Sequence, residues 1–353
     1  MNGPPDGGTR LLRSIQVQGQ VCAGMGSLMY GDVLQQVAAD VEADGIFAAI
    51  LSGHENDSAR LALPLRLLGG LHRLVLDGRA SALRQWYPSV GGHWDAEAAW
   101  TDIALAAAEH TDYLRAALEQ PPQTNEVGRS AALIGALLVL VDGLGMPVRL
   151  FEIGCSAGLN LRADHFRYRH PGGEWGSSDS PVIVDDAWRG LLPPAAALQI
   201  VERRGYDIAP LDPTSPDGEL TLLSYVWPDQ PARLERLRGA ISLARRVPAP
   251  LHRRDATDAV AGLELSAGTL TVLWHSIMWQ YLSAAEQEIV STEIESVGAR
   301  ARPGSPFGHV RLEPYRRTPD APVEFVVRAR RWPGGDDRLL AACSPHGPPV
   351  VWE

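Results

Sequence analysis

The stretch RLFEIGCSAGLNL, residues 149–161, decides the fold of this chain. An apolar run reaches Glu152 and then passes into a turn of small residues, Gly154, Ser156 and Gly158. Small residues let a ligand approach the backbone, and a helix opening after such a turn would offer unpaired N–H groups. The stretch therefore predicts a strand, a ligand-binding turn and a helix. Glu152 would lie at the carboxyl end of the strand, where open α/β sheets bind their ligands.

The sequence after residue 147 alternates between short β-rich runs and helical stretches. The further runs cover residues 198–203, 269–274 and 308–312. Alternation of this kind predicts a mostly parallel sheet with helices on its faces. Residues 323–332 and 338–344 flank the turn Pro333-Gly334-Gly335-Asp336-Asp337, and this arrangement predicts a C-terminal antiparallel hairpin.

The sequence before residue 147 predicts helices instead. Apolar residues recur at three- and four-residue spacing in four segments, 28–41, 61–76, 96–118 and 127–144. We therefore expect a helical N-terminal domain, residues 1–146, that shapes and shields a substrate site. The α/β domain would follow as residues 147–353. Its Pro-, Gly- and Ser-rich segment at about 166–194 interrupts the alternation and is interpreted as an inserted hairpin and loop.

Composition excludes several classes of protein. All 32 basic residues are arginines, so a lysine-dependent phosphate loop and Schiff-base chemistry are excluded. The net charge of −10 disfavours nucleic acid as a partner. Three scattered cysteines predict neither a disulfide framework nor a metal site. The longest apolar run has 11 residues against the roughly 18 that span a membrane, so we expect a cytoplasmic protein without a membrane partner.

The turn after residue 153 resembles the first motif of the Rossmann-like S-adenosylmethionine-dependent methyltransferases. That motif has an acidic residue followed by three small residues at alternate positions, and Ser156 replaces the usual middle glycine here. A dinucleotide-binding fingerprint fits less well, since its third glycine would stand at Leu159. The resemblance implies S-adenosylmethionine as cofactor, held by Glu152, Gly154, Ser156, Gly158 and Asn160.

Gly205-Tyr206-Asp207 is similar to the second motif of the same family, whose acid binds the ribose hydroxyls. A carboxylate can accept hydrogen bonds from both hydroxyls. Asp207 follows Gly158 by 49 residues, where about 20 is typical, and the segment at 166–194 would account for the excess. Asp185 and Glu202 are alternatives for this role.

Two further segments are similar to cofactor-binding parts of the family. Asp255, in Arg254-Asp255-Ala256, would accept from the adenine amine, or else be an exposed ion-pair partner. Asn125 and Arg129 precede the first strand and would reach the amino-acid end of the cofactor. Their alternative roles are local, as a helix cap and a surface pair with Glu126.

The predicted strand 269–274 runs into polar and aromatic residues, and in the resembling family this end faces the transferred methyl group. His275 could deprotonate an acceptor hydroxyl, or it could be structural. Trp279 and Tyr281 would line the acceptor pocket, or belong to the core. The loop with Trp86 and Tyr87 would be a substrate lid, or a packed connection.

The whole chain looks like an uncharacterised bacterial branch of methyltransferase-like proteins with a helical N-terminal region. Segments 124–129, 151–161, 204–212 and 226–230 carry this resemblance. It implies methyl transfer to a hydroxyl or amine of a small molecule. A regulator that binds the nucleoside without chemistry, a dinucleotide-dependent oxidoreductase and an RNA-modifying enzyme remain as alternatives. The oligomeric state is open, with a homodimer as one alternative.

Overall fold

The computed structural model of the protein describes residues 7–57 and 62–353. It divides into two compact units. One consists of Met1–Thr124 and Pro216–Leu234, and the other of Asn125–Ser215 and Glu235–Glu353.

The first unit is helical. Its helices are α1 (Gly7–Gly24), α2 (Leu28–Glu42), α3 (Ile46–Leu51), α4 (Leu63–Leu76), α5 (Ala96–Glu109), α6 (Thr111–Leu118) and α8 (Pro216–Ser224). The predicted helix 96–118 is two helices because His110, with φ −118° and ψ 26°, leaves helical geometry. Asp95 caps α5 by accepting hydrogen bonds from Glu97 and Ala98. The predicted helix 61–76 begins at Leu63, and Leu61 lies outside the described residues.

Segment 226–230, for which the sequence offered no chemistry, has a structural role in this helical unit. Asp229 accepts hydrogen bonds from the Ser27 hydroxyl at 2.7 Å and from the Met29 N–H at 3.1 Å, at the start of α2. Gln230 donates from Nε2 to the Met25 carbonyl at 3.0 Å. One orphan donor of the helix start, the Met29 N–H, is therefore satisfied by a residue 200 positions away in the chain, and the Tyr30 N–H donates to the nearby Ser27 hydroxyl.

The second unit is α/β. Its strands are β1 (Val148–Ile153), β2 (Arg167–His170), β3 (Gly173–Gly176), β4 (Ile183–Val184), β5 (Trp188–Gly190), β6 (Ile200–Asp207), β7 (Leu251–Arg253), β8 (Leu270–Ser276), β9 (Phe307–Tyr315), β10 (Glu324–Trp332), β11 (Arg338–Ser344) and β12 (Gly347–Trp352). Its helices are α7 (Ser130–Val141), α9 (Pro231–Ala244), α10 (Ala256–Ala261) and α11 (Ala284–Arg300), of which α9 begins in the helical unit.

Nine of these strands form one sheet, in the order β5-β12-β11-β10-β9-β8-β1-β6-β7. The strands β7, β6, β1, β8 and β9 are mutually parallel. Numbered along the chain, these five have the order 3-2-1-4-5, which reverses direction between β1 and β8. In open α/β sheets the crevice at such a reversal is where ligands bind. The turn after β1 opens at this crevice.

The C-terminal part of the sheet is antiparallel, as the sequence predicted. β10 pairs antiparallel with β9 and with β11, and β12 continues the antiparallel order. β5, which pairs parallel with β12, comes from the predicted insertion at 166–194. The rest of that insertion is a small separate sheet in the order β3-β2-β4, whose β2–β3 pair is the predicted hairpin.

Helices cover both faces of the large sheet. On one face, α7 packs against β9, β10 and β12. It therefore belongs to the α/β unit, whereas the sequence placed the boundary after residue 146. On the other face, α10 and α11 enclose an apolar cluster that includes Phe151, Leu273 and Ile294. A capping box of Ser283 and Glu286 is present at the start of α11. Within the described part of the chain, no helix is long and apolar enough to cross a membrane.

The close contact of α7 with β12 gives a test of this packing. A Cβ at Gly135 would lie 1.9 Å from Cζ2 of Trp352, so Gly135→Ala forces the indole or the helix to move. We expect a loss of roughly 1–3 kcal/mol in the free energy of unfolding. Thermal denaturation measures it, with Gly304→Ala, which meets open space in the same unit, as control. Equal melting temperatures for the two variants would contradict the contact.

Candidate functional site

The turn after β1 holds three alternate residues in the left-handed region of backbone conformation. φ is +65° at Gly154, +50° at Ser156 and +61° at Gly158. Glycine adopts this region without strain, whereas other residues do so at a cost. A Cβ at Gly154 would lie 2.8 Å from the Met278 Cβ, and one at Gly158 would lie 2.5 Å from Leu251 Cδ2. Both glycines are therefore required by the backbone and by packing within the protein.

The prediction that a regular helix follows this turn is wrong. Residues Leu159–His165 form a short 3-10 segment that is interrupted at Arg162, with φ −107° and ψ 15°. The Arg162 guanidinium holds this shape by donating to the carbonyls of Gly158 at 2.8 Å and Val247 at 2.6 Å. A segment this short and irregular does not supply the ordered N-terminal amides of a long helix.

Several amides of the turn already have acceptors in the protein, which corrects the expectation of unpaired N–H groups. Ser156 donates to Asp207 Oδ2 at 2.8 Å, and Leu159 donates to Asn125 Oδ1 at 2.7 Å. Gly158 donates to the Cys155 carbonyl at 2.7 Å. Side chains from β6 and from the segment before α7 thus hold the turn in its conformation.

Glu152 is a buried acid in the penultimate position of β1, with 2% of its surface exposed. Burial raises the pKa of its carboxyl to about 8, and the charge of Asp207 adds to the rise. The Trp274 indole and the guanidinium groups of Arg129 and Arg162 lower that pKa only in part. Oε2 of Glu152 has no hydrogen-bond partner of regular geometry among the described residues, nor does the Trp274 Nε1. The carboxyl is therefore largely protonated at neutral pH and has an unsatisfied oxygen.

Asp207 and Asn160 lie with Glu152 and Asn125 around the turn. Asp207 Oδ1 accepts from the Ala209 N–H at 2.9 Å, so both carboxylate oxygens contact backbone amides. Each oxygen has a second lone pair for a further donor. Asn160 donates from Nδ2 to the Glu126 carbonyl at 3.1 Å. Its buried Oδ1 accepts no hydrogen bond from residues 7–57 and 62–353.

Arg129 connects two strand ends of the α/β unit. Its Nε donates to the Pro345 carbonyl at 2.9 Å, and its Nη1 donates to the Ser276 carbonyl at 3.3 Å. It therefore joins the end of β8 to the turn before β12. Glu126 is buried, so the exposed surface role that the sequence allowed for Arg129 and Glu126 does not describe this part of the structure.

The other predicted acids have local partners. Asp255 caps α10 by accepting from the Asp258 N–H at 2.9 Å. Asp185 pairs with Arg169 at 3.1 Å, and Glu202 pairs with Arg149 at 2.6 Å. The structure therefore brings Asp207, rather than Asp185 or Glu202, to the turn after β1.

His275 lies on the opposite face of the sheet from Glu152. Glu152 is in register with Trp274, and successive strand residues point to opposite faces, so the next residue of β8 points away from Glu152. His275 Nδ1 lies 2.8 Å from Glu313 Oε1, and its Nε2 lies 3.0 Å from His309 Nε2. Both ring nitrogens of His275 have protein partners. This favours a structural or relay role for His275 over direct contact with the hydroxyl of a substrate.

Sequence reasoning missed His309 and Glu313. The signal was the alternation of His309, Arg311 and Glu313 in β9, which puts three polar side chains on one face of a strand that is otherwise buried. Together with His275 they line a cavity of about 380 Å³ between α11 and the β9–β10 pair.

The predicted aromatic residues are distributed over both units. Trp279 lines the cavity and stacks on His275 at 5.2 Å between ring centroids, whereas Tyr281 is 56% exposed. Trp86 and Tyr87 lie in the helical unit. Tyr87 is fully buried in its core and stacks on His72, and Trp86 donates to Asp102 at 2.7 Å. Both therefore have packing roles there.

Metal-ligating side chains do not cluster in the described ranges 7–57 and 62–353, where no three His, Cys, Asp or Glu are arranged to hold an ion.

The raised pKa of Glu152 predicts a pH-dependent stability. The folded carboxyl has a pKa of about 8 against 4.5 for the ordinary group, so ionisation favours the unfolded chain as pH rises between these values. Glu152→Gln cannot ionise, and its stability relative to the native chain should rise from pH 4.5 to 8. Chemical denaturation at several pH values measures this difference. Glu264→Gln, at an exposed position, is the control, and a pH-independent difference for Glu152→Gln would contradict the burial of a titrating acid.

Comparison with known proteins identifies a family. No curated protein matches the chain. The profile of the bacterial family described as "Uncharacterized protein conserved in bacteria (DUF2332)" matches residues 13–352, which is nearly the whole sequence. The chain therefore belongs to the DUF2332 family.

Proposed function

We propose that the α/β unit binds S-adenosylmethionine at the crevice where β1 and β8 meet, and that the protein is a methyltransferase acting on a small molecule. The observation that carries the proposal is the position of Glu152. It is a buried acid at the end of the first strand of a 3-2-1-4-5 parallel order, directly before a turn with three left-handed residues. This arrangement supports a Rossmann-like identity for the sheet.

The electrostatics of Glu152 favour a cationic ligand. A buried carboxyl with a raised pKa and an unsatisfied oxygen gains most from a ligand that brings positive charge and N–H donors. S-adenosylmethionine carries an ammonium and a sulfonium, whereas the pyrophosphate of a dinucleotide is anionic. The same site therefore disfavours the oxidoreductase alternative, as the Leu159 mismatch does.

The neighbouring side chains suit the other parts of the cofactor. Asp207 would accept from the ribose hydroxyls with its remaining lone pairs, and it already fixes the turn through Ser156. The free acceptor of Asn160 and the guanidinium of Arg129 lie on the segments beside the turn, where the amino-acid end would bind. Asp255 uses Oδ1 for its capping contact with Asp258, so Oδ2 would be the oxygen that accepts from the adenine amine.

Bound there, S-adenosylmethionine would supply an activated methyl group. The contribution of the protein would then be to hold the acceptor in line and exclude water, for which a base is optional. A regulator that binds the cofactor without chemistry remains the second candidate. The regulator is favoured because both ring nitrogens of His275 already have protein partners, so neither nitrogen is available to deprotonate a methyl acceptor.

Calorimetric titration tests the proposal. We expect S-adenosylmethionine and S-adenosylhomocysteine to bind with micromolar dissociation constants, and NADH to give no heat. Glu152→Gln should weaken binding of S-adenosylmethionine by roughly tenfold to a hundredfold, since a charge-assisted hydrogen bond is lost. Native affinity should also rise from pH 6 to 8, as Glu152 ionises more readily.

Glu264→Gln, an exposed substitution in the same unit, should bind like the native chain. Absence of binding by both adenosyl compounds in the folded native protein would overturn the proposal. Binding without methyl transfer to any hydroxyl or amine acceptor would favour the regulator.

A further inference from the structure

The cavity between α11 and the β9–β10 pair lies on the face of the sheet opposite Glu152. Its volume of about 380 Å³ is within the range of small-molecule sites. The lining combines aromatic side chains, including Trp279 and Tyr315, with an unusual number of charged ones. Three arginines, one from β9 and two from β10, line it: Arg311, Arg328 and Arg330.

These arginines are incompletely compensated by acids. Arg311 and Arg328 share a single carboxylate oxygen, Asp337 Oδ2, at 2.6 and 2.8 Å. Arg330 pairs with Glu295 of α11 at 2.5 Å. The Arg328 Nε is buried without a hydrogen-bond partner in the part of the chain that the structure describes. Three guanidinium groups and three acids, Asp337, Glu295 and Glu313, line the cavity, but at this end two guanidinium groups share one carboxylate oxygen, which leaves local positive charge and at least one unused buried donor.

At the other end of the cavity, Glu313, His275 and His309 are joined in a chain of hydrogen bonds. Glu313 Oε1 also accepts from the Met278 N–H at 3.2 Å, so it is assigned as the acceptor of the hydrogen bond from His275 Nδ1. His275 Nε2 is then an acceptor, and His309 donates to it from Nε2. This direction leaves Nδ1 of His309 as the unprotonated nitrogen at the end of the chain.

We propose that this cavity is a binding site for a small carboxylate or phosphate, in which Arg311, Arg328 and Arg330 hold the anion and His309 is the proton acceptor beside it. Glu313 and His275 act as positioning residues behind His309. A guanidinium group donates paired hydrogen bonds to two oxygens of either a carboxylate or a phosphate, so three of them suit both anions.

A metal ion is a poorer occupant of this cavity. The two Nε2 atoms of the histidine pair face each other at 3.0 Å, but no third His, Cys, Asp or Glu completes a metal site within residues 7–57 and 62–353. A large ligand is also disfavoured, because the volume is that of a metabolite of modest size. The proposal does not depend on cofactor binding at Glu152, since the two sites are on opposite faces of the sheet.

Proton uptake should accompany binding of the anion. Burial and the positive charges of Arg311 and Arg330 hold the pKa of His309 well below 6.5, and His275 contributes to the same shift. The titratable and charged groups that line the cavity with His309 are His275 of β8, Arg311 and Glu313 of β9, Arg328 and Arg330 of β10, Glu295 of α11, and Asp337 before β11. An anion that neutralises the arginines raises this pKa, so affinity should increase as pH falls below 6.5.

Calorimetric titration of the full chain with malonate and with inorganic phosphate, without any adenosyl compound, tests the site. We expect one of them to bind, and Arg328→Gln to weaken that binding about tenfold or more, as loss of a charge-assisted contact does. Arg338→Gln, which removes the same charge from an exposed position on β11, is the matched control. The anion that binds identifies the source as carboxylate or phosphate.

Absence of binding by both anions up to roughly 10 mM, an affinity weaker than about −3 kcal/mol, would overturn the proposal. Equal affinities for Arg328→Gln and Arg338→Gln would also overturn it, because the anion would then bind elsewhere. Arg311→Gln provides a second variant if Arg328→Gln does not fold.

Proton uptake by the native chain on anion binding tests the proposal without any variant. Titration at about pH 6 in two buffers of different ionisation enthalpy should show net proton uptake on binding. Uptake that is absent in His309→Asn would support the assignment of His309. Binding without proton uptake in the native chain would contradict it. Failure of S-adenosylmethionine binding would leave this result unaffected, so the two proposals fail separately.

Discussion

The hydrogen bond from the Ser156 N–H to Asp207 Oδ2, at 2.8 Å, joins the turn after β1 to the end of β6. Ser156 has a φ of +50°, a conformation that costs a non-glycine residue free energy and persists only where its surroundings determine it. Asp207 provides that constraint from one side and Asn125 from the other, through Leu159. The position of the crevice beside Glu152 depends on this fixed turn.

Because side chains alternate along β8, the two groups of polar residues in the α/β unit lie on opposite faces of the sheet. Trp274 lies on the face of Glu152, and His275 lies on the face of α11. One face therefore has a buried acid that favours a cation, and the other has an arginine-rich cavity that favours an anion. Electrostatic complementarity of this kind specifies partners more than it adds affinity. A protein with both could hold a cationic cofactor and an anionic small molecule at the same sheet.

Buried polar groups without partners are the reason that the crevice beside Glu152 and the arginine-lined cavity are candidate binding sites. Unpartnered buried oxygens and nitrogens are uncommon because each costs free energy, and they are retained where a ligand or a mechanism uses them. Within the described residues, Glu152 Oε2, Asn160 Oδ1 and Arg328 Nε are of this kind. Glu313 Oε2 is of this kind as well, whereas Glu313 Oε1, both ring nitrogens of His275 and the His309 Nε2 are hydrogen-bonded, and this favours a fixed proton chain through Oε1 over a mobile one.

The sequence by itself determined the α/β class, the strand Val148–Ile153 and the C-terminal hairpin, because apolar periodicity and turn residues are local signals. It also pointed to Asp207 over a gap of 49 residues, through a motif. Only the tertiary structure decided that the turn is followed by an irregular 3-10 segment, since Arg162 reaches the Val247 carbonyl 85 positions away. It alone joined His275 to His309 and Glu313, because strand register and side-chain direction are set by packing between distant segments.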